Sequence, residues 1–295
     1  MKRTLGLVLA LLLTLTAGCG LASDSAITVT DMMGREITLA EPATRVVALT
    51  AADCEILYAL GAGGTLVGRG AYCDYPADVL AVPSVESGYE TNLEQIIALQ
   101  PQLVLMGTMA QSEEQVKMLT DAGIQIAVSS AGDIEGVYEA ITVIGALTGK
   151  TAEADALIAD MKAQFAELAE AKLSGSVYFE VSPLQYGLWT AGSGTFMQEI
   201  AELLGLTNVF ADLDGWAQIS EEQVLSRNPD YIVTLTPDYG TAPNPAEEIM
   251  ARAGWEQLTA VQNGDVFFGF ADALTRPGPR LCEGARQLRD AVVAP

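Results

Sequence analysis

Chemistry at a protein site needs particular side chains at particular spacings, and this chain of 295 residues lacks one of the commonest of them. It contains no histidine. Serine–histidine catalysis, histidine-ligated zinc and histidine-ligated haem are therefore excluded together. The four cysteines, Cys19, Cys54, Cys73 and Cys282, are too scattered for a cysteine metal cluster, and no metal site is expected. Carboxylates are plentiful, with 38 Asp and Glu against 15 Lys and Arg, but no pair is marked by its surroundings as acid and base. Gly149-Lys150-Thr151 ends like a phosphate loop, yet the glycine that motif needs at position 144 is Ile144. Gly61-Ala62-Gly63-Gly64 follows a helical pattern and reads as a helix stop, not as a dinucleotide fingerprint. The serines lack a nucleophile elbow. A net charge of −23 repels phosphate backbones, so no nucleic-acid partner is expected.

The N-terminus is read as an export signal. Lys2 and Arg3 precede an apolar run from Leu5 to about Thr16, a charged region followed by a hydrophobic one. The run is shorter than the roughly 20 residues of a membrane span. Thr16-Ala17-Gly18-Cys19 resembles a bacterial lipobox, with Thr16 where that pattern usually carries Leu. Residues 1–18 are thus expected to be removed, Cys19 lipidated, and 19–25 left as a tether. An exported protein can form disulfides. With Cys54, Cys73 and Cys282 remaining, a bridge and buried thiols are both open readings.

The rest alternates strand-like and helix-like runs, which argues for parallel sheets flanked by helices. Arg45 to Leu49, Leu103 to Met106 and Ile124 to Val128 read as buried strands, and Cys54 to Leu60 as a helix stopped by Gly61. Asn92-Leu93-Glu94-Gln95 and Ser220-Glu221-Glu222-Gln223 each carry an N-cap with Gln three residues on, the capping-box spacing. In each, a Pro seven residues after Glu94 or Glu222 ends the helix and a strand follows. Glu55-Ile56 to Gly61 also matches Glu199-Ile200 to Gly205. The expected organisation is an N-terminal α/β lobe over 26–150, a helix over 151–173 and a C-terminal α/β lobe over 174–295. Leu157, Met161, Phe165 and Leu168 mark one face of that helix, Lys172 in its last turn and Gly175 beyond it are its stop signals, and it would be a stiff bridge limiting lobe motion.

Several motifs in order resemble one family. They are Asp31-Met32-Met33-Gly34-Arg35, Tyr72-Cys73-Asp74-Tyr75-Pro76, the Asn92 to Pro101 segment, Gly145 to Lys150, Trp216 to Leu225, and Arg276-Pro277-Gly278-Pro279-Arg280. On these the chain is similar to the substrate-binding proteins of ABC importers of the cobalamin, ferric-siderophore and haem class. The resemblance covers 26–295. It implies two Rossmann-like α/β lobes joined by a long rigid helix, with the ligand cleft between them. It also implies no enzymatic activity and no cofactor, only a bound small molecule. The expected partner is an ABC permease dimer with its ATPase subunits. The expected place is extracytoplasmic, with a lipid anchor as the sole membrane contact, and the expected state is a monomer.

The resemblance also assigns residues. Glu94 and Glu222 match the glutamates that dock into arginine pockets on the two permease subunits. A helix-stabilising surface role is the plainer reading of each. Trp216 falls where cobalamin-binding relatives carry a cleft tryptophan, and Trp189 matches another aromatic position. Tyr72, Tyr75 and Tyr89 lie in or near family loops. Arg276 is placed to meet a ligand carboxylate or amide. Core packing is the alternative for any of the aromatics. Cobalamin-binding relatives carry further cleft tryptophans, which the positions near Gly88 and Gly107 lack, and Ala273 stands where an aromatic is expected before Arg276. Cobalamin or a related corrinoid is the expected ligand, with ferric siderophore and then haem behind it. A secreted α/β enzyme or a surface sensor are the readings from outside this class.

Overall fold

The computed structural model describes residues 26–87, 91–108, 112–238, 240 and 242–294. The export signal, Cys19, the tether, Gly88 and Tyr89 lie outside the described residues. The first elements are β1 (Ile27–Thr30) and β2 (Glu36–Leu39), an antiparallel hairpin. Its turn is the Asp31 to Arg35 motif, and the physics of that motif is visible. Asp31 accepts bonds from the Met33 and Arg35 amides, from the Arg35 guanidinium, and from the Val128 amide at 3.0 Å. Burial works against its charge, but these donors outweigh it and hold the carboxyl below its usual range. Gly34 sits at φ 77°, where a side chain would be strained.

The N-terminal lobe continues with β3 (Val46–Ala48), α1 (Ala51–Ala59), β4 (Leu66–Gly70), β5 (Ser84–Val85) and α2 (Leu93–Ala98). It closes with β6 (Leu103–Met106), α3 (Glu113–Asp121), β7 (Gln125–Val128) and α4 (Ile134–Leu147). Helix α5 (Thr151–Ala169) leads into the second lobe. There follow β8 (Ser176–Glu180), β9 (Trp189–Ala191), α6 (Phe196–Leu204), β10 (Thr207–Asn208), β11 (Trp216–Gln218) and α7 (Glu221–Arg227). Next are β12 (Tyr231–Thr234), α8 (Pro245–Met250), α9 (Thr259–Asn263), β13 (Val266–Phe267), α10 (Ala271–Thr275) and α11 (Leu281–Val293).

The repeat read from the sequence is a repeat of topology. The first sheet runs β5-β4-β3-β6-β7 and the second β10-β8-β12-β13, with every pairing parallel. Matching β3 to β8, β4 to β10, β6 to β12 and β7 to β13 superposes the two orders. The central strands are apolar because both faces are covered: Val46, Val47 and Ala48 are fully buried, as are Ile232 and Val233. The repeat extends to helix ends. Both α2 and α7 finish on a left-handed residue, Gln100 at φ 49° and Asn228 at φ 43°, placed directly before Pro101 and Pro229. A proline disfavours the helical conformation in the residue before it, so the chain leaves the helix at the same point twice.

Helix α5 is shorter than expected. It has 19 residues, about 28 Å at 1.5 Å per residue, and ends at Ala169 rather than Leu173. Lys172, read as a last-turn cation, itself takes φ 48° outside the helix. The apolar face is as expected, with Met161, Phe165 and Leu168 buried. These side chains belong to one hydrophobic cluster that also holds Ile141 of α4, Phe196 of α6 and Leu288 of α11. The lobes therefore share a core, which resists wide hinge opening.

Candidate functional site

Parallel α/β sheets present ligand-binding loops at the carboxyl ends of their strands. The two lobes meet at those ends. Following β7, the Gly132 carbonyl accepts from the Phe196 amide at 2.8 Å, and the Ile134 amide donates to Glu199 Oε2 at 2.7 Å. On the other side of the seam, Gly278 lies against Ala52 at the start of α1.

The C-terminal wall is a small aromatic ribbon. Strands β9 and β11 pair antiparallel, with Trp216 opposite Ala191 and Gln218 opposite Trp189. Side chains alternate along a strand, so Trp189 and Trp216 share a face as diagonal neighbours, a spacing aromatic rings can bridge. The ring of Trp216 meets Phe196 edge-on, with centroids 5.6 Å apart, while Trp216 stays 42% exposed and Trp189 39%. Phe196 is the residue whose amide crosses the seam, so Trp216 stands beside it. Gly192 permits this ribbon, since a Cβ there would collide with the Leu213 carbonyl. Tyr186, 75% exposed on the turn that follows β8, adds a third ring that the sequence reading did not select.

In the N-terminal wall the two expected tyrosines differ in placement. Tyr72 is 79% exposed on the loop after β4. Arg69 holds that loop by donating to the Gly70 and Cys73 carbonyls. Tyr75 instead lies under the Arg280 guanidinium, 4.0 Å from its ring centroid. It lines a hollow of about 380 Å³ shared with Gln164 of α5 and Arg286 of α11. Arg276, expected to meet a ligand, is drawn into an ion-pair network. It bonds Glu55 at 3.1 Å, Asp74 at 2.6 Å and Asp272 at 2.8 Å. Arg280 bonds the other Glu55 oxygen at 3.0 Å. The bond from Arg276 holds the Asp74 carboxyl below its usual range. Glu55, 3% exposed, thus fastens the C-terminal motif to the N-terminal lobe. The sequence reading took Glu55 only as part of a repeat, and the pairing of the Arg276 to Arg280 motif with it was the missed signal.

Asp53, one residue before Cys54, is also buried at the seam. It accepts from Thr50 Oγ1 at 2.6 Å and from the Ser129 hydroxyl. Burial pushes its carboxyl up to about 6 against the pull of those two hydroxyls.

Glu94 and Glu222 occupy equivalent second positions of α2 and α7, and both are exposed. Asn92 and Ser220 cap the two helices by accepting from the Gln95 and Gln223 amides. Of these two helices α7 alone completes the capping box, because Gln95 accepts from the Glu86 amide instead of its own cap. The Ser220 hydroxyl holds Glu222 below its usual range. Its neighbour Glu221 is bound to the Trp255 indole at 2.8 Å, which leaves Glu222 the outward carboxylate.

The charge of the cleft is set by what the cations do. Every Lys and Arg among the described residues is engaged. Nine form salt bridges, Arg45 and Arg69 hold backbone carbonyls, Arg286 bonds Gln164, and Lys162 lies over Tyr138. A surface hollow of about 870 Å³ between α4, α5 and the first hairpin contains none of the cleft aromatics. The cleft is an open aromatic trough without an unengaged cation among the described residues.

A protein-family model described as periplasmic binding protein matches residues 46–273. An uncharacterised ABC transporter substrate-binding lipoprotein, YvrC, of Bacillus subtilis (strain 168) is 34% identical across 99% of this chain and 98% of its own length. The vitamin B12-binding protein of Salmonella choleraesuis (strain SC-B67) is 31% identical across 85% of this chain and 90% of its own length. The crystal structure of a possible iron-binding, periplasmic solute-binding protein from Staphylococcus epidermidis ATCC 12228 aligns with TM-score 0.73 and 29% identity. It covers 86% of this chain and 100% of its own. Two parallel α/β lobes, a seam at their strand ends and these matches agree: the chain belongs to the periplasmic binding protein family, in its cobalamin, siderophore and haem class, and is a binding component of transport rather than an enzyme.

Proposed function

We propose that this protein is a lipid-anchored, extracytoplasmic receptor that captures a corrinoid and delivers it to an ABC importer permease. The observation that carries the ligand reading is the exposed Trp189–Trp216 face beside a cleft whose cations are all engaged. A corrinoid is large, flat and edged with neutral amides, so it suits aromatic faces and needs no countercharge. A catecholate siderophore brings negative charge and would call for arginines that here hold Glu55, Asp74 and other carboxylates. The B12-binding relative supports the same ligand class. Tyr72, Trp189, Trp216 and Tyr186 are the contacts we assign, with Tyr75 and Arg276 shaping the cleft from behind. Cys19 carries the lipid anchor. Glu94 and Glu222 dock the two permease subunits, their equivalence on two lobes matching a two-fold symmetric partner.

The test is calorimetric titration of the mature domain from Ser23, first with cyanocobalamin and then with its precursor cobinamide. One-to-one binding below about 1 μM, near −8 kcal/mol, is expected for at least one. Binding of a ferric siderophore or haem with silence from both corrinoids would overturn the ligand assignment. Silence from all four would overturn the ligand assignment and leave an unlisted ligand or a sensor role.

A further inference from the structure

The three thiols of the described lobes are not alike. Cys282 of α11 points at the Met161 carbonyl of α5, 3.7 Å away. Cys54 of α1 and Cys73 of the Tyr72–Pro76 loop converge from different elements on a single acceptor. Each sulfur lies 3.9 Å from the Ala48 carbonyl oxygen. Both residues are essentially buried, Cys54 fully and Cys73 at 1% exposure. We infer that in the exported protein Cys54 and Cys73 form a disulfide that staples the Tyr72–Pro76 loop to helix α1, leaving Cys282 as the free thiol.

The location gives the bond a purpose. Glu55 follows Cys54 and Asp74 follows Cys73, and Arg276 bridges these two carboxylates. A covalent link one residue upstream of each would fix the spacing that Arg276 spans. It would equally fix the base of the loop that carries Tyr72. This inference concerns the chain's own covalent structure and stands whatever the ligand proves to be.

The chemistry is thiol–disulfide exchange with a protein or low-molecular-weight disulfide as oxidant. The Cys73 thiolate attacks one sulfur of that disulfide and expels the other as a thiolate. The Cys54 thiolate then attacks the mixed disulfide at Cys73, forms the Cys54–Cys73 bond and expels the second. The pair loses two electrons and two protons, and the oxidant gains them as two thiols. In the packed state the adjacent Cys73 thiol and burial together hold Cys54 far above its ordinary range. Exchange therefore belongs to the folding or loop-open chain, and the closed bond is sheltered from reductants once packed.

The experiment is thiol mapping of the full chain, exported with its own signal and unfolded in the presence of N-ethylmaleimide without reductant. Non-reducing digestion and mass spectrometry should show the Cys54 and Cys73 peptides joined, lighter by two hydrogens than their sum, with Cys282 alkylated. A Cys282→Ala variant should give the same map. Reductant should lower the melting temperature by about 5–10 °C, the shift expected for opening a loop of this length, and should do nothing to Cys54→Ala/Cys73→Ala. The inference is overturned if Cys54 and Cys73 are both alkylated on unfolding without reductant. A bridge that includes Cys282 would overturn it as well. The map requires only the wild-type chain, so a variant that fails to fold leaves the test intact.

Discussion

Arg276→Ala is the most direct probe of how the lobes are held. It removes bonds to Asp74, Asp272 and Glu55 at 2.6, 2.8 and 3.1 Å. The side chains of Asp74 and Asp272 are more than half exposed, so each of those losses costs at most about 1 kcal/mol. The Glu55 side chain is 1% exposed and keeps only Arg280 at 3.0 Å. Its lost charge-assisted bond costs about 1.5–3 kcal/mol. The expected destabilisation is about 2–4 kcal/mol, read by urea unfolding at neutral pH. Glu55→Gln breaks the same network from its buried centre and should cost about 3–5 kcal/mol. The double variant should cost clearly less than the two single losses together, because both remove one interaction. If Arg276→Ala falls within about 0.5 kcal/mol of wild type, the network does not hold the lobes, and strict additivity in the cycle would say the same.

Three further outcomes are expected. Trp216→Ala should weaken binding of the corrinoid found by titration by roughly 1–3 kcal/mol; unchanged affinity would remove Trp216 from the ligand contacts. Glu94→Ala with Glu222→Ala should leave that affinity intact and abolish uptake in cells, and normal uptake would refute the docking assignment. Asp53 has a folded-state carboxyl raised to about 6, so its contribution to stability is full when it is protonated, below about 3.8, and is lost as pH rises through about 6. Unfolding free energies of Asp53→Asn minus wild type should therefore grow by about 2–3 kcal/mol between about pH 4 and about pH 8, and a flat difference would refute the buried-acid reading.

What the sequence disclosed was local. Caps, prolines and apolar runs are signals within a few residues, and they located β6 to the residue and exposed the repeat. Asn92 and Ser220 cap as read, and Pro101 and Pro229 end their helices as read. The errors came where distant residues decide. Lys172 and Gly175 look like stop signals for a helix reaching Leu173, yet α5 ends at Ala169 and the chain turns at Lys172 itself. Glu55 stands out in the sequence only as part of a repeat, and it is partners more than 200 residues away that make it a buried hub. The same partners explain Tyr75 and Arg276. Tyr75 lies against Arg280 while staying 44% exposed, and Arg276 lies among three carboxylates, so both are positioned by residues distant in the sequence. For Tyr72, Trp189 and Trp216 the sequence left cleft and core both open, and the structure exposes all three.

The placement of the clamp bears on how such a receptor can work. Lobes that share a hydrophobic core and are tied by Glu55 and the Phe196–Gly132 bond cannot swing apart without exposing that core. Ligand entry must then use an already open trough, and binding should produce a small twist rather than a closure. Scattering profiles with and without ligand should nearly overlay, whereas a compaction of several ångströms in radius of gyration would refute the shared-core argument. A receptor that scarcely moves cannot signal occupancy by shape change. In the proposed docking, the permease would have to sense the ligand across the cleft mouth while Glu94 and Glu222 hold the lobes from either side. That requires the two carboxylates to keep a fixed separation, which is what a shared core and a buried ion-pair clamp provide.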